Sequence, residues 1–179
     1  MARFVSSFAI LFALVAACIA TVAQVEADIS SIASQVTALD SAINAFPTAG
    51  GSLLSALAIH EQATALASAL ATAATDVTAT PPLDEADGET ILSAVEGFEP
   101  TIINALAGIV AKKPAFDALP LGGVSALVKE DLATLQTDTK AFENGLVADS
   151  PADLVPAAAS LTSAVDAALA TAAAAYADA

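Results

Sequence analysis

ILSAVEGFEPTIINALAGIVAKKPAF, residues 91–116, places large apolar side chains at Ile91, Val95, Phe98, Ile102, Leu106, Ile109 and Phe116, with Leu92, Ile103 and Val110 beside them. Steps of three and four bring these residues onto one face of a helix. The stretch lies in mid-chain, and the helical patterns on both sides of it need a surface to pack against. It reads as the central helix of an all-α fold. Pro100 falls inside the pattern, yet the apolar phase runs through it. A proline there either kinks one long helix or begins a second, nearly collinear one. The expectation is a single antiparallel helical bundle of about five helices, its central helix kinked or split near Pro100.

Just upstream, Asp84-Glu85-Ala86-Asp87-Gly88-Glu89 invites a calcium-loop reading, which fails on spacing. With Gly88 at the loop glycine, the first ligand would be Leu83 and the closing acid Ala94. The run suits a helix start better: Asp84 caps, and the other acids fill the first turn, where the positive end of the helix favours them. Consecutive prolines make Thr78–Leu83, TATPPL, a loop. Before it, Ser52–Val77 carries Leu53, Leu57, Ala63, Leu66, Leu70, Ala73 and Val77 on one face, with Ser52 as N-cap. His60 lies near the edge of that face, and a lone His with no second His or Cys beside it is structural in this reading. Earlier still, Val25, Ile29, Ile32, Val36, Leu39, Ile43 and Phe46 form the most regular stripe of the chain, closed by Pro47 and Gly50-Gly51.

Downstream, Lys112 and Lys113 stand toward the C-terminal end of the central helix, where cations suit the helix dipole. A sharper alternative makes them a carboxylate anchor at the mouth of an apolar cavity. Leu119-Pro120-Leu121-Gly122-Gly123 is a turn. The next helix, Val124–Leu146, has Val124, Val128, Leu132, Leu135, Phe142 and Leu146 as its stripe, and Gly145 weakens its end. Ser150-Pro151-Ala152-Asp153 has the composition of a last helix start, one that Pro156 would delay. The face that follows, from Leu154 through Leu161, Val165 and Leu169 to Tyr176, is shallow and rich in alanine. Ser160, Thr162, Ser163 and Asp166 argue against a membrane span there, and Tyr-Ala-Asp-Ala is a poor tail for a lipid-anchor signal.

Composition narrows the function. The chain has 179 residues, enough for one domain with a real core, and 56% of them are hydrophobic. Roughly a quarter are alanine, which favours helix but buries little area, so the core is thin and plastic. A net charge of −15 excludes ordinary nucleic-acid binding and disfavours anionic membrane surfaces. At the N-terminus, Arg3, the apolar run through FAILFALVAACI and the small residues after it have the layout of a secretory signal peptide, residues 1–23, cut after Thr21-Val22-Ala23 or, alternatively, after Cys18-Ile19-Ala20. The run is short for a retained anchor. One domain, 24–179, would follow, with no transmembrane segment. Cleavage would remove Cys18, the only cysteine, so that no covalent link opposes loosening or opening of the helices.

Catalysis has little to work with. With one His, its one Cys in the leader and no G-x-S-x-G, the chain lacks a Ser–His or Cys–His nucleophile. Leu121-Gly122-Gly123-Val124 is not followed by the Gly-Lys-Ser of a phosphate loop. The expectation is a non-enzyme with no catalytic residues, no metal and no cofactor.

The order of several short motifs says more. They are Val-Thr-Ala-Leu-Asp-Ser-Ala-Ile at 36–43; Ala58-Ile59-His60; Glu85-Ala86-Asp87 with Ile91-Leu92 and Val95; and Glu99-Pro100 with Ile102, Leu106, Val110 and Lys112-Lys113. The most distinctive run is Phe116, Leu119-Pro120-Leu121-Gly122-Gly123 and Leu127-Val128, after which come Thr139, Phe142 and the Ala-rich end with Tyr176. In this arrangement the chain resembles the fungal hydrophobic surface-binding protein A family, also called cell wall galactomannoproteins, over essentially all of 24–179. The resemblance implies a secreted helical bundle, extracellular or in the cell wall, without catalysis. It implies adsorption to hydrophobic surfaces, helping secreted polyester hydrolases reach insoluble polymers. Some members resemble carriers that hold long-chain fatty acids between helices. No ligand-contact motif comes with the family, and an obvious Ser/Thr-rich wall-attachment tail is missing here. Adsorption, soluble binding of long-chain lipids with Lys112 or Lys113 at the carboxylate, and a passive wall role are the three expectations, and the resemblance favours the first.

Overall fold

The computed structural model describes the backbone of residues 4–120 and 122–179, and the side chains of 22–120 and 122–179. The expected leader, 1–23, with Arg3 and Cys18, therefore lies almost wholly outside the described side chains. The described residues form five helices: α1 Phe4–Ala45, α2 Leu53–Ala79, α3 Glu85–Asp117, α4 Val124–Asp149 and α5 Val155–Ala175. There is no strand among them.

Two of the helix starts are where their caps put them. The Ser52 hydroxyl accepts the Ser55 N–H at 3.1 Å, and the Asp84 carboxylate accepts the Asp87 N–H at 2.9 Å. Each satisfies an amide that has no partner within its own helix. Of the two expectations for Pro100, the single helix is the one that forms: α3 passes through both Pro100 and Pro114. Pro100 is exposed, so the carbonyl it deprives of a partner can face water, while Phe98, Ala105 and Leu106 keep the apolar face buried.

Three boundaries differ from the sequence reading, and the smallest difference is at the end of α2, which runs on to Ala79, two residues into the expected loop. Gly145 does not end α4, which continues to Asp149. A Cβ at Gly145 would come within 2.8 Å of Val77 Cγ1, so the missing side chain lets α4 close onto α2. The last helix does not begin at Ser150. Ser150 is the C-cap of α4, its hydroxyl donating to the Leu146 carbonyl at 2.6 Å, and α5 starts at Val155 with Pro156 in its first turn.

The apolar stripes meet in a closed ring. α1 packs on α2, α2 on α4, α4 on α5, α5 on α3, and α3 back on α1, with only a light contact between α3 and α4. Cross-helix contacts fix the directions. Asn104 bonds Asp40 and Lys112 bonds the Phe46 carbonyl, so α1 and α3 are parallel. His60 meets Asp131 at 2.9 Å, and Val77 lies beside Gly145, so α2 and α4 are parallel. Lys140 bonds Asp166 and Lys129 bonds the carbonyl of Ala177, so α4 and α5 are antiparallel. The chain thus alternates up and down, as an antiparallel bundle should, while alternate helices become parallel neighbours in the ring.

The glycine within the acidic run that opens α3, Gly88, has a packing reason. A Cβ there would lie 2.8 Å from Pro151 Cδ and 2.9 Å from Leu154 Cδ1, so the glycine allows α3 to pass the start of α5. No group of three His, Cys, Asp or Glu side chains suited to a metal occurs among the described residues. By length and composition alone α2, α3 and α5 could each cross a bilayer; here each turns its apolar stripe into the ring.

Candidate functional site

One end of the ring is solid. The C-terminal ends of α1, α3 and α5 meet there with the N-terminal ends of α2 and α4. The rings of Phe46 and Phe116 stack at 4.5 Å between centroids and 27° between planes. Tyr176 has 0% exposure, and its hydroxyl donates to the Ile109 carbonyl at 2.8 Å, which ties the end of α5 to α3. Lys112 and Lys113 stand at this end. The Lys112 ammonium donates to the Phe46 carbonyl at the close of α1. The Lys113 ammonium pairs with Asp117 at 2.8 Å and lies 5.7 Å from the centre of the Tyr176 ring. Asp117 also accepts from Ser125, and the Lys113 contact first, then that hydroxyl, holds its carboxyl below the usual range.

Toward the other end Val25 and Ile29 of α1 and Ala73 and Val77 of α2 are buried as well, and the free space lies on the side of α3, α4 and α5. A cavity of about 120 Å³ lies inside the ring, lined by residues of all five helices. Its floor is Ile32, Val36 and Leu39 of α1 with Leu66 and Leu70 of α2, all buried. Its partly exposed lining residues, among them Leu92, Val95, Ile102, Leu146, Val147, Leu161 and Thr162, belong to α3, α4 and α5. Access is therefore on the side of α5, the thin, Ala-rich helix. Neither Lys112 nor Lys113 lines the cavity, and nor does His60, which joins α2 to α4 through Asp131.

Most of the lining is hydrocarbon. The polar exceptions are Thr139, Glu143, Ser150 and Thr162. Glu143 stands out, because its side chain is only 9% exposed. Its Oε2 has no hydrogen-bond partner. Lys140 is the nearest cation at 3.6 Å, but its ammonium bonds Asp166 instead. Burial, reinforced by the negative charge of Asp166 and opposed by Lys140, pushes the Glu143 carboxyl up to about 7. The sequence reading passed over Glu143. Its signal was there: steps of four and three from Leu135 to Leu146 pass through Thr139 and Glu143, which puts two polar residues on an apolar face.

Comparison with known proteins adds to this geometry. No curated protein matches the sequence. Among solved structures, the crystal structure of Afmp4p in complex with palmitic acid superposes with a TM-score of 0.79 at 34% identity, covering 87% of this chain and 99% of that one. Ligand binding domain 1 of the Penicillium marneffei MP1 protein, complexed with arachidonic acids, has a TM-score of 0.76 at 20% identity, over 84% of this chain and 95% of that one. Ligand binding domain 2 of that protein, also in complex with arachidonic acids, has the same TM-score at 15% identity, over 84% and 90%. At such identities the two domains share the fold alone. The family model described as hydrophobic surface binding protein A matches residues 22–148, from α1 to the last turn of α4. As the order of its motifs anticipated, this chain belongs to the hydrophobic surface binding protein A family.

Proposed function

We propose that this chain is a secreted, non-catalytic binder of long-chain fatty acids, which it holds in the cavity inside the ring. One observation carries the reading: a narrow apolar cavity lined by every helix, extending along α3 from Gly88 to Leu106. At 1.5 Å per residue that is about 27 Å, long enough for an extended alkyl chain the length of palmitic acid. Each methylene moved from water into such a lining contributes about 0.8 kcal/mol. The free volume is thin, so the partly exposed Leu92, Val95, Ile102 and Leu161 change rotamer as the chain enters. The bound palmitic acid of Afmp4p, at 34% identity, supports the same ligand class here.

The test is a titration of the lipid-stripped protein with a fluorescent long-chain fatty acid below its micelle concentration, with unlabelled competitor. Saturation near one ligand per chain, reversed by competitor and weakened at least about tenfold by Val95→Trp, is expected, since the indole fills the lining. Unsaturable uptake that ignores the substitution would end the proposal. The secretory leader, 1–23, goes with this reading; N-terminal sequencing of the secreted protein is expected to begin at Gln24.

Adsorption to hydrophobic surfaces is a second reading, favoured by Leu54 and Leu57. They are 79% and 40% exposed at the start of α2, the exposed large apolar residues among those described. Binding to alkyl-coated beads, reduced by Leu54→Ser with Leu57→Ser while fatty-acid binding persists, would place adsorption at this patch. Recruitment of secreted polyester hydrolases would be a consequence of adsorption, read by co-sedimentation of enzyme with polymer only when this protein is present.

A further inference from the structure

The cavity's lining is almost wholly hydrocarbon, which leaves open where the polar end of a ligand would go. Glu143 answers on geometry. Its side chain is 91% buried, it lines the cavity, and its Oε2 lacks a partner. A buried carboxyl oxygen without a partner has lost its hydration with nothing in return, so a ligand group that bonds it recovers part of that loss. The groups that act on it are few. On its own helix, Lys140 is 3.6 Å from Oε2, and on α5 Asp166 both draws Lys140 away and sets its own negative charge beside the Glu143 carboxyl, favouring the protonated form. The lining residues from α1, α2 and α3 include no titratable group. Thr139, one turn earlier on α4, and Thr162 on α5 are the hydroxyls that share the lining with it.

We propose that Glu143 is the head-group subsite of the fatty-acid site described above, its carboxyl hydrogen-bonding the ligand's carboxylate so that the two acids share one proton. This rests on the fatty-acid reading and adds a chemical condition to it. The pair carries one proton and one negative charge. Two ionised carboxylates cannot be accommodated side by side in an apolar cavity. When Glu143 has lost its proton, binding must therefore take one up from solvent. The elevated proton affinity of the buried Glu143 places that condition near neutral pH. The protein would load under mildly acidic conditions and release as the medium turns alkaline.

The experiment compares dodecanoic acid with dodecanol on the lipid-stripped wild-type chain by calorimetric titration from pH 5.5 to 8.5, in buffers of different ionisation heat. For the acid, uptake should approach one proton per ligand above pH 7, and affinity should fall about tenfold per pH unit there. The neutral dodecanol should bind with affinity constant to within about twofold over the same range. In Glu143→Gln the amide donates at every pH, so the proton uptake and the pH slope for the acid should both vanish. If acid and alcohol both bind but the acid takes up no proton, or if Glu143→Gln keeps the wild-type slope, Glu143 is not the subsite and the cavity reading survives. If the alcohol loses affinity with pH in parallel with the acid, the dependence belongs to the fold and the assignment also fails. If neither ligand binds at any pH, the fatty-acid reading falls and takes this inference with it.

Discussion

The two ends of the helix ring use different materials for the same task of closing a bundle. At one end three aromatic rings, Phe46, Phe116 and Tyr176, are buried to completion and pinned by specific bonds. Toward the other, large aliphatic side chains with Phe98 and Phe142 surround unfilled space, several of them partly exposed, and the one large polar group of that lining, Glu143, is unsatisfied. Aromatic burial supplies stability with little area per residue left over, whereas a thin lining leaves volume that a ligand can fill. The difference teaches that this small, disulfide-free ring packs unevenly, fully at the aromatic end and with free space against α3, α4 and α5, where the proposed ligand would sit. Substitutions at the two ends should therefore differ in kind.

The largest effect is expected at the aromatic end. Phe116→Ala removes a 2% exposed ring and its stack on Phe46, and should cost about 3–5 kcal/mol in urea unfolding. Leu161→Ala, on the cavity wall, removes a side chain that is already partly exposed beside empty space, and should cost about 1 kcal/mol or less. Equal losses at the two positions would break the contrast.

The next effect is electrostatic and centres on the cavity wall. Glu143 is raised from an ordinary 4.5 to about 7, so between those values the native chain holds a proton that the unfolded chain has released. Stability from this group is thus full below about pH 4.5 and falls as pH rises through 7. Burial also raises the carboxyls of Asp131 and Asp149, in the same sense. Asp117, at the aromatic end, is lowered and works in the opposite sense, adding stability above its ordinary range. The wild-type melting temperature should be higher at pH 5 than at pH 8. Glu143→Gln should flatten that slope and gain about 2 kcal/mol at pH 8 relative to the parent. A slope unchanged by the substitution would show that Glu143 is wetter than the ring geometry implies.

These contrasts also mark where the sequence was readable. The stripe of Val25 to Phe46, the caps at Ser52 and Asp84 and the phase carried through Pro100 are local patterns, and each produced the element it implied. Periodicity says which face of a helix is apolar but not which other face it meets, so the ring order was not visible. Gly145 looked like a weakness because its reason, the side chain of Val77, lies 68 residues away. Glu143 was passed over because its missing partner depends on Asp166, on the following helix and 17 residues further along the chain than Asp149. Lys112 and Lys113 were conspicuous by scarcity of cations, a feature that points to charge without saying what it faces.

A smaller effect tests the latch between α5 and α3. Tyr176→Phe keeps the buried ring and deletes the hydroxyl that donates to Ile109. Removing it leaves that carbonyl without this donor, and the cost should be about 1 kcal/mol. Hydrogen exchange should rise in α5 and change little in α1 and α2. Uniform acceleration across the ring would mean that α5 does not loosen independently of the others.

The smallest expected effect on binding is at Lys112 and Lys113, and it bears hardest on the comparison. The double substitution Lys112→Ala with Lys113→Ala removes the donor to the Phe46 carbonyl and the ion pair with Asp117. Both contacts are at the aromatic end, and the pair with Asp117 is substantially exposed, so stability should fall by about 1 kcal/mol or less. If the ligand's carboxyl is held by Glu143 on the α4–α5 wall, fatty-acid affinity should change by less than about twofold. A tenfold loss without unfolding would place the carboxylate at the lysines, making the aromatic end the ligand's polar gate. The two ends would then exchange roles: the ring with the stacked phenylalanines would open to admit the chain, and the Glu143 wall would face only its methyl tail.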